Sequence, residues 1–248
     1  MKNNILELYI AIQSEGSRSG MPTIVVRTTG CTHRCYFGEG GWCDTWYTSI
    51  HPEKARFNIE DVVQFAKAND HIKEMMITGG SPTMHPELLE DLTQLAKEQG
   101  IITTIETEGS HFVKTSHPID LISLSPKFSN TIPVIGTTTP MGKKVDEKFV
   151  LLHNRKRLNK DAIKKMINYH KDYHFKPVWG GEENDMIEII QFKKDMGIPN
   201  NKTWIMPAGD NRDRLIAIYP KVMEKCIELG FNFSSREHII AYNDERGV

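Results

Sequence analysis

The sequence predicts an α/β fold of repeated βα units around a parallel sheet, a single barrel-like domain spanning residues 1–248. Three observations predict it. Short strand-like apolar stretches alternate with longer amphipathic ones, the order that parallel strands with crossover helices produce. A 248-residue chain with 39% hydrophobic content can bury one full core. No internal repeat, low-complexity tract or linker divides it into two.

The strands are expected at 5–12, 23–28, 74–78, 101–106, 121–125, 175–178, 203–206 and 238–242. Among the helices, the clearest has Pro86 in its first turn, Leu88, Leu89, Leu92, Leu95 and Ala96 on one face, and Gly100 just past its end. Others are expected at 59–68, 161–173, 183–196 and 212–229, the last two stopped by Gly197 and Gly230. Pro220 should kink or divide the last, because it removes a helical hydrogen bond. The stretch 128–144, rich in threonine, proline and glycine, has no periodicity and reads as a long loop, of the kind that is usually functional or mobile.

Composition excludes several classes. Thirty-one basic against thirty-two acidic residues leave a net charge of -1, so no global field draws the chain to nucleic acid or an anionic membrane. A small-molecule partner is expected. No apolar run approaches the roughly 20 residues of a membrane span, and the opening Met1-Lys-Asn-Asn-Ile is too polar for a signal peptide, which points to the cytoplasm.

Four cysteines in a reducing compartment point to metal binding or catalysis rather than disulfides. Cys226 lies in a helical pattern and reads as core. Cys31, Cys35 and Cys43 fall in one loop after the strand at 23–28. In barrel-like folds chemistry gathers where such loops begin. Thr78-Gly-Gly-Ser-Pro82, Glu106-Thr-Glu-Gly-Ser110 and Ser125-Pro-Lys127 follow the next three strands and would face the same mouth. Thiolates are the usual ligands of iron–sulfur clusters. Three of them would hold a [4Fe–4S] cluster with one iron open, where S-adenosylmethionine (SAM) can chelate. The alternative is a Cys3His zinc module using His33, whose spacing is tighter than usual for zinc.

Several motifs in order resemble one family, the 7-carboxy-7-deazaguanine synthases of the radical SAM superfamily. They are Ile12-Gln-Ser-Glu-Gly16, Gly20-Met-Pro22, Val26-Arg27, Gly30-Cys31, Trp42-Cys-Asp-Thr45, Thr78-Gly-Gly with Pro82, Glu106-Thr107, Ser125-Pro-Lys127 and the closing Arg-Gly-Val. The resemblance implies an incomplete (β/α) barrel of the radical SAM type. It implies ring contraction of 6-carboxy-5,6,7,8-tetrahydropterin to 7-carboxy-7-deazaguanine with loss of ammonia, as in queuosine-type biosynthesis. The cofactors implied are the [4Fe–4S] cluster, SAM and Mg2+. Also implied are a homodimer and an electron donor such as flavodoxin or ferredoxin. Another radical SAM enzyme, such as a glycyl-radical activase, remains open.

The same resemblance implies residue roles. Cys31, Cys35 and Cys43 hold the cluster, and Thr45 offers an oxygen to Mg2+. Trp42, Gly79, Gly80, Ser81, Glu106, Ser125, Pro126, Lys127 and Pro207 contact SAM. Ile12, Gln13, Ser14, Arg27, Thr78 and Val248 meet the substrate, Arg27 by bidentate capture of its carboxylate. This chain departs from the family at three places, the mildest being Ser14, which stands where the family usually has glycine. Ser81 stands where the superfamily commonly has a glutamate for the SAM amino group, so that either water bridges the gap, or a nearby carboxylate such as Glu106 compensates, or SAM binds more weakly. The spacing Cys-x3-Cys-x7-Cys is longer than the common Cys-x3-Cys-x2-Cys, so Phe37-Gly-Glu-Gly-Gly41 should bulge out as a flexible loop.

Overall fold

A computed structural model describes residues 3–155 and 157–248; Met1 and Lys2 of the polar opening stretch lie outside the described residues. Six strands form one sheet in chain order: β1 (Ile5–Ile12), β2 (Pro22–Thr28), β3 (Glu74–Gly79), β4 (Ile102–Thr107), β5 (Leu121–Leu124) and β6 (Tyr173–Phe175). β1 runs antiparallel to β2, and every later pairing is parallel. A second parallel sheet follows, β7 (Val178–Trp179), β8 (Trp204–Pro207) and β9 (Asn232–Phe233).

The two sheets are nearly one arc. Phe175 bridges Thr203 in parallel, so β8 runs beside both β6 and β7. The expected strand at 175–178 is thus interrupted at Lys176–Pro177, because proline has no N–H for the ladder. β1 and β9 end the arc without meeting, which leaves an unclosed barrel.

Helices cover the outside: α1 (Trp46–Ser49), α2 (Ile59–Ala68), α3 (Pro86–Gln99), α4 (Glu147–Asn154), α5 (Lys160–Tyr169), α6 (Glu183–Met196), α7 (Arg212–Leu229) and α8 (Glu237–Tyr242). Local chemistry sets their ends. Asn58 and Asp61 make a capping box at the start of α2, while Gly100, Gly197 and Gly230 close α3, α6 and α7 in the left-handed conformation. Leu88, Leu89, Leu92, Leu95 and Ala96 are buried, and they join Ile24, Val26, Ile77, Ile105 and Ile122 from the strands in the main core. Cys226 is buried there too.

Three expectations change. The segment expected as a strand at 238–242 is α8, a helix packed on α7. Its adjacent Ile239 and Ile240 do not alternate, and a short apolar run cannot by itself separate helix from strand. The helix expected at 161–173 stops at Tyr169, so that Tyr173 can enter β6. α7 continues through Pro220, because Leu215 and Val222 on either side are both fully buried and fix one continuous face. No described helix is long and apolar enough to cross a membrane.

Candidate active site

The loops at the C-terminal ends of β2 to β8 enclose one cavity. Cys31, Cys35 and Cys43 all line it as free thiols. The long spacing between the last two is closed by a hairpin. Tyr36 bridges Trp42, Phe37 N–H donates to Gly41 C=O at 2.8 Å, and Cys43 N–H donates to Cys35 C=O at 3.1 Å. The five-residue insertion is therefore a turn that brings Cys43 back beside Cys35. Phe37 does not point away but lines the cavity, packed on Val178, Met206 and Ala208. Gly41, at φ +83°, has no room for a side chain, since a Cβ would sit 2.0 Å from Asp210 Oδ2.

The donor set fits an iron–sulfur cluster. Burial pushes the Cys31 thiol up to about 12 and raises those of Cys35 and Cys43; Cys43 adds to the rise at Cys31, Cys43 and Cys31 to that at Cys35, and Asp44 to that at Cys43. Three thiolates on one cavity wall, Cys35 buried and Cys31 and Cys43 partly so, need a strongly positive group to compensate them. Among the described residues, no group of three His, Cys, Asp or Glu side chains converges as a single-ion site would require. His33 is buried with Nε2 unpartnered, its Nδ1 2.8 Å from the Thr32 hydroxyl, and burial pushes its pKa down to about 4.

The glycine pair has a structural cause. Gly79 lies at φ +129°, and a Cβ on Gly80 would come within 2.1 Å of Gly30 C=O and 3.0 Å of Cys31 Cβ. The end of β3 thus lies directly on the base of the cysteine loop, joined by Ser81 N–H to Gly30 C=O at 2.8 Å.

Arg27 follows from register. It faces Glu7 across the antiparallel pair, its Nε donating to Glu7 Oε2 at 2.6 Å and its Nη2 to the Tyr9 hydroxyl at 3.0 Å. Burial opposes its charge, but Tyr9, Tyr47 and Glu7 more than restore it. Arg27 lines the cavity rather than forming a surface pair.

Of the other residues singled out, Ile12, Gln13, Ser14, Trp42, Thr45, Thr78, Glu106, Ser125, Lys127 and Val248 line the cavity; Ser81, Pro126 and Pro207 do not, although Met206, Ala208 and Gly209 do. The Ile12 and Gln13 carbonyls already accept bonds from Ser14 Oγ and Gly20 N–H. Thr45 Oγ1 lies 3.3 Å from Cys43 Sγ. The carboxylate beside Ser81 is not Glu106. Ser81 Oγ donates to Glu108 Oε1 at 2.7 Å, whereas Glu106 binds Lys176 at 2.9 Å and Ser123.

Sequence reasoning missed a charged floor. Lys176, fully buried, pairs with Glu15 at 2.5 Å and with Glu106, while Arg236 pairs with Glu15 at 3.2 Å and with Asp44. Burial pushes Glu15 up, but Lys176 and Arg236 outweigh it and hold the carboxyl far below its usual range. For Glu106 burial wins and the pKa is raised. A lysine beside a proline inside an otherwise apolar run was the available signal at Lys176; Arg236 had none.

Residues 25–181 match the model described as the Radical SAM superfamily. A 7-carboxy-7-deazaguanine synthase from Halobacterium salinarum is 30% identical over 246 residues, 97% of this chain and 90% of that protein. Another, from Rhodopirellula baltica, is 29% identical over 244 residues, covering 98% and 88%. In fold, the chain is similar to the crystal structure of QueE from Escherichia coli, with a TM-score of 0.59 at 22% identity over 94% of this chain and 92% of that one.

Proposed function

The chain belongs to the 7-carboxy-7-deazaguanine synthases of the radical SAM superfamily, and from that premise we infer that it contracts the ring of 6-carboxy-5,6,7,8-tetrahydropterin to 7-carboxy-7-deazaguanine, with loss of ammonia. The observation that carries the reading is a single cavity lined both by three thiols suited to a [4Fe–4S] cluster and by the oriented guanidinium of Arg27.

When bound, the cluster and SAM supply a carbon radical able to remove a hydrogen atom from the substrate. The protein's own part is to hold, orient and shield. Cys31, Cys35 and Cys43 hold the cluster. Arg27 takes the pterin carboxylate; Glu7 and Tyr9 occupy its Nε and Nη2, which fixes the plane of the fork and leaves Nη1 without a hydrogen bond among the described residues. Ile12, Gln13, Ser14, Thr78 and Val248 line the same cavity and would meet the rest of the pterin. Phe37, Val178, Met206 and Ala208 make an apolar wall suited to the adenine of SAM. Trp42, Gly79, Gly80, Ser125 and Lys127 line the cavity for the rest of that molecule. Ser81, Pro126 and Pro207 then act from behind the wall.

The fuller reading also places Mg2+ on Thr45, whose hard oxygen suits that ion. It includes a homodimer, supported by the free edge of β1 with exposed Ile10 and Ile12. A flavodoxin or ferredoxin would deliver the electron in the cytoplasm.

The test is anaerobic reconstitution with iron and sulfide, followed by SAM, a reductant and carboxytetrahydropterin. Product 7-carboxy-7-deazaguanine, seen by mass and absorbance, is expected. An intact cluster that cleaves SAM but gives no deazaguanine would sink the substrate assignment. Bound zinc without iron would end the radical reading.

A further inference from the structure

Four side-chain carboxylates of the described residues line the cavity: Glu15, Asp44, Glu106 and Glu108. Three have a cation of their own, since Lys176 holds Glu15 and Glu106, and Arg236 holds Glu15 and Asp44. Glu108 has no lysine or arginine partner among the described residues. It is 6% exposed, and its neighbour His33 spends Nδ1 on the Thr32 hydroxyl instead.

Three hydroxyls converge on one of its oxygens. Ser81 Oγ donates to Oε1 at 2.7 Å, Thr32 Oγ1 at 3.0 Å, and Ser110 Oγ also donates there. No side chain among the described residues donates to Oε2. The hydroxyls hold the carboxylate rigid while leaving half of its acceptor capacity unused.

The place of Glu108 is equally specific. It follows β4 by one residue, against the glycine turn of β3, whose Gly80 packs on Cys31 Cβ. A buried carboxylate with no donor to one of its oxygens is costly unless a ligand supplies that donor. The ligand group nearest a cysteine-held cluster is the amino-acid end of SAM.

The geometry points to Glu108 as the residue that receives the amino group of SAM, with Ser81 as the positioning residue that aims it. In this chain the carboxylate comes from the β4 loop, and the serine of the β3 loop supports it from behind. Burial opposes the Glu108 charge, but His33 and then the hydrogen bonds from Ser110 and Ser81 outweigh it and hold the carboxyl below its usual range.

The inference rests on the radical SAM reading, and binding rather than turnover tests it. Reconstituted holoprotein is assayed by anaerobic equilibrium dialysis against SAM and against methylthioadenosine, which lacks the amino-acid end, with iron counted in each sample. E108Q should weaken SAM about ten- to hundredfold, the range of a charged hydrogen bond, and leave methylthioadenosine unchanged. S81A, which keeps the charge but removes one of its supports, should weaken SAM only a few-fold. Unchanged SAM affinity in E108Q with full iron content overturns the proposal, as does equal weakening of both ligands. If E108Q loads no cluster, S81A decides: selective loss of SAM upholds the proposal, and unchanged affinity overturns it. Wild-type holoprotein that carries a cluster but binds no SAM would instead overturn the radical SAM reading itself.

Discussion

Replacing Lys176 with methionine removes the only ammonium of the charged floor, and the cost can be worked from its surroundings. The lysine side chain is 1% exposed and its two partners 17% each. Removing one member of a buried ion pair costs about 3–5 kcal/mol, because the other is left uncompensated. The lower figure applies, since both carboxylates border a cavity and Arg236 still holds Glu15. About 3 kcal/mol in a domain of this size corresponds to a melting point lower by about 6–12 °C. The pH dependence has a definite sign. Glu15, held below its ordinary 4.5, contributes stability above that pH that is lost as pH falls through the depressed value. Glu106, whose pKa is raised, opposes stability above its ordinary 4.5, and that opposition lifts on acidification. Without Lys176 the first contribution shrinks and the second grows. The gap between Lys176→Met and wild type should therefore be widest near pH 7 and narrow toward pH 4. Thermal unfolding followed by circular dichroism at several pH values reads this directly. A shift below about 2 °C at pH 7, or a gap that widens in acid, would refute the reasoning.

Other outcomes follow from the same geometry. Cys35→Ser should fail to retain iron after anaerobic reconstitution, measured as iron per chain, while Cys226→Ser should load normally because Cys226 is core, its thiol 3.5 Å from Asn232 C=O. Gly80→Ala should destabilise by about 1–3 kcal/mol in urea, since its Cβ would meet Gly30 C=O at 2.1 Å; an unchanged midpoint would show that the loops part easily. Arg27→Lys should raise KM for the pterin more than it lowers kcat, because a lysine keeps the charge but not the fork. His174 is pushed down to about 3 by burial and stays neutral in the fold, so stability should fall as pH drops below 6.5, where the unfolded chain takes up the proton. His174→Asn should flatten that slope in urea titrations between pH 7 and 5.

Much of this site lay in local patterns. β1, α2, α6 and α7 begin and end where periodicity and capping residues put them, because caps and glycine stops act within a few residues. The three cysteines, the glycine pair and Arg27 each sit at a strand end, so the βα rule alone directs them to one mouth. The sequence left open what depends on distant partners. Ile239 and Ile240 are helical because they pack on α7, not because of their own propensity. Glu106 and Glu108 are two residues apart and look equivalent in the sequence. Strand alternation sends one toward Lys176, beyond β5, and the turn after β4 sends the other beside Ser81.

By itself the sequence determined the family and most of the parallel strands, since these are carried by patterns along the chain. Only the tertiary structure decided which carboxylates are neutralised, because Lys176 and Arg236 reach Glu15 across separations of 161 and 221 residues that no local pattern encodes. It also decided what the cysteine insertion does. A glycine-rich segment permits many conformations, and packing of Phe37 on Val178, Met206 and Ala208 selects the one that folds back over the cavity.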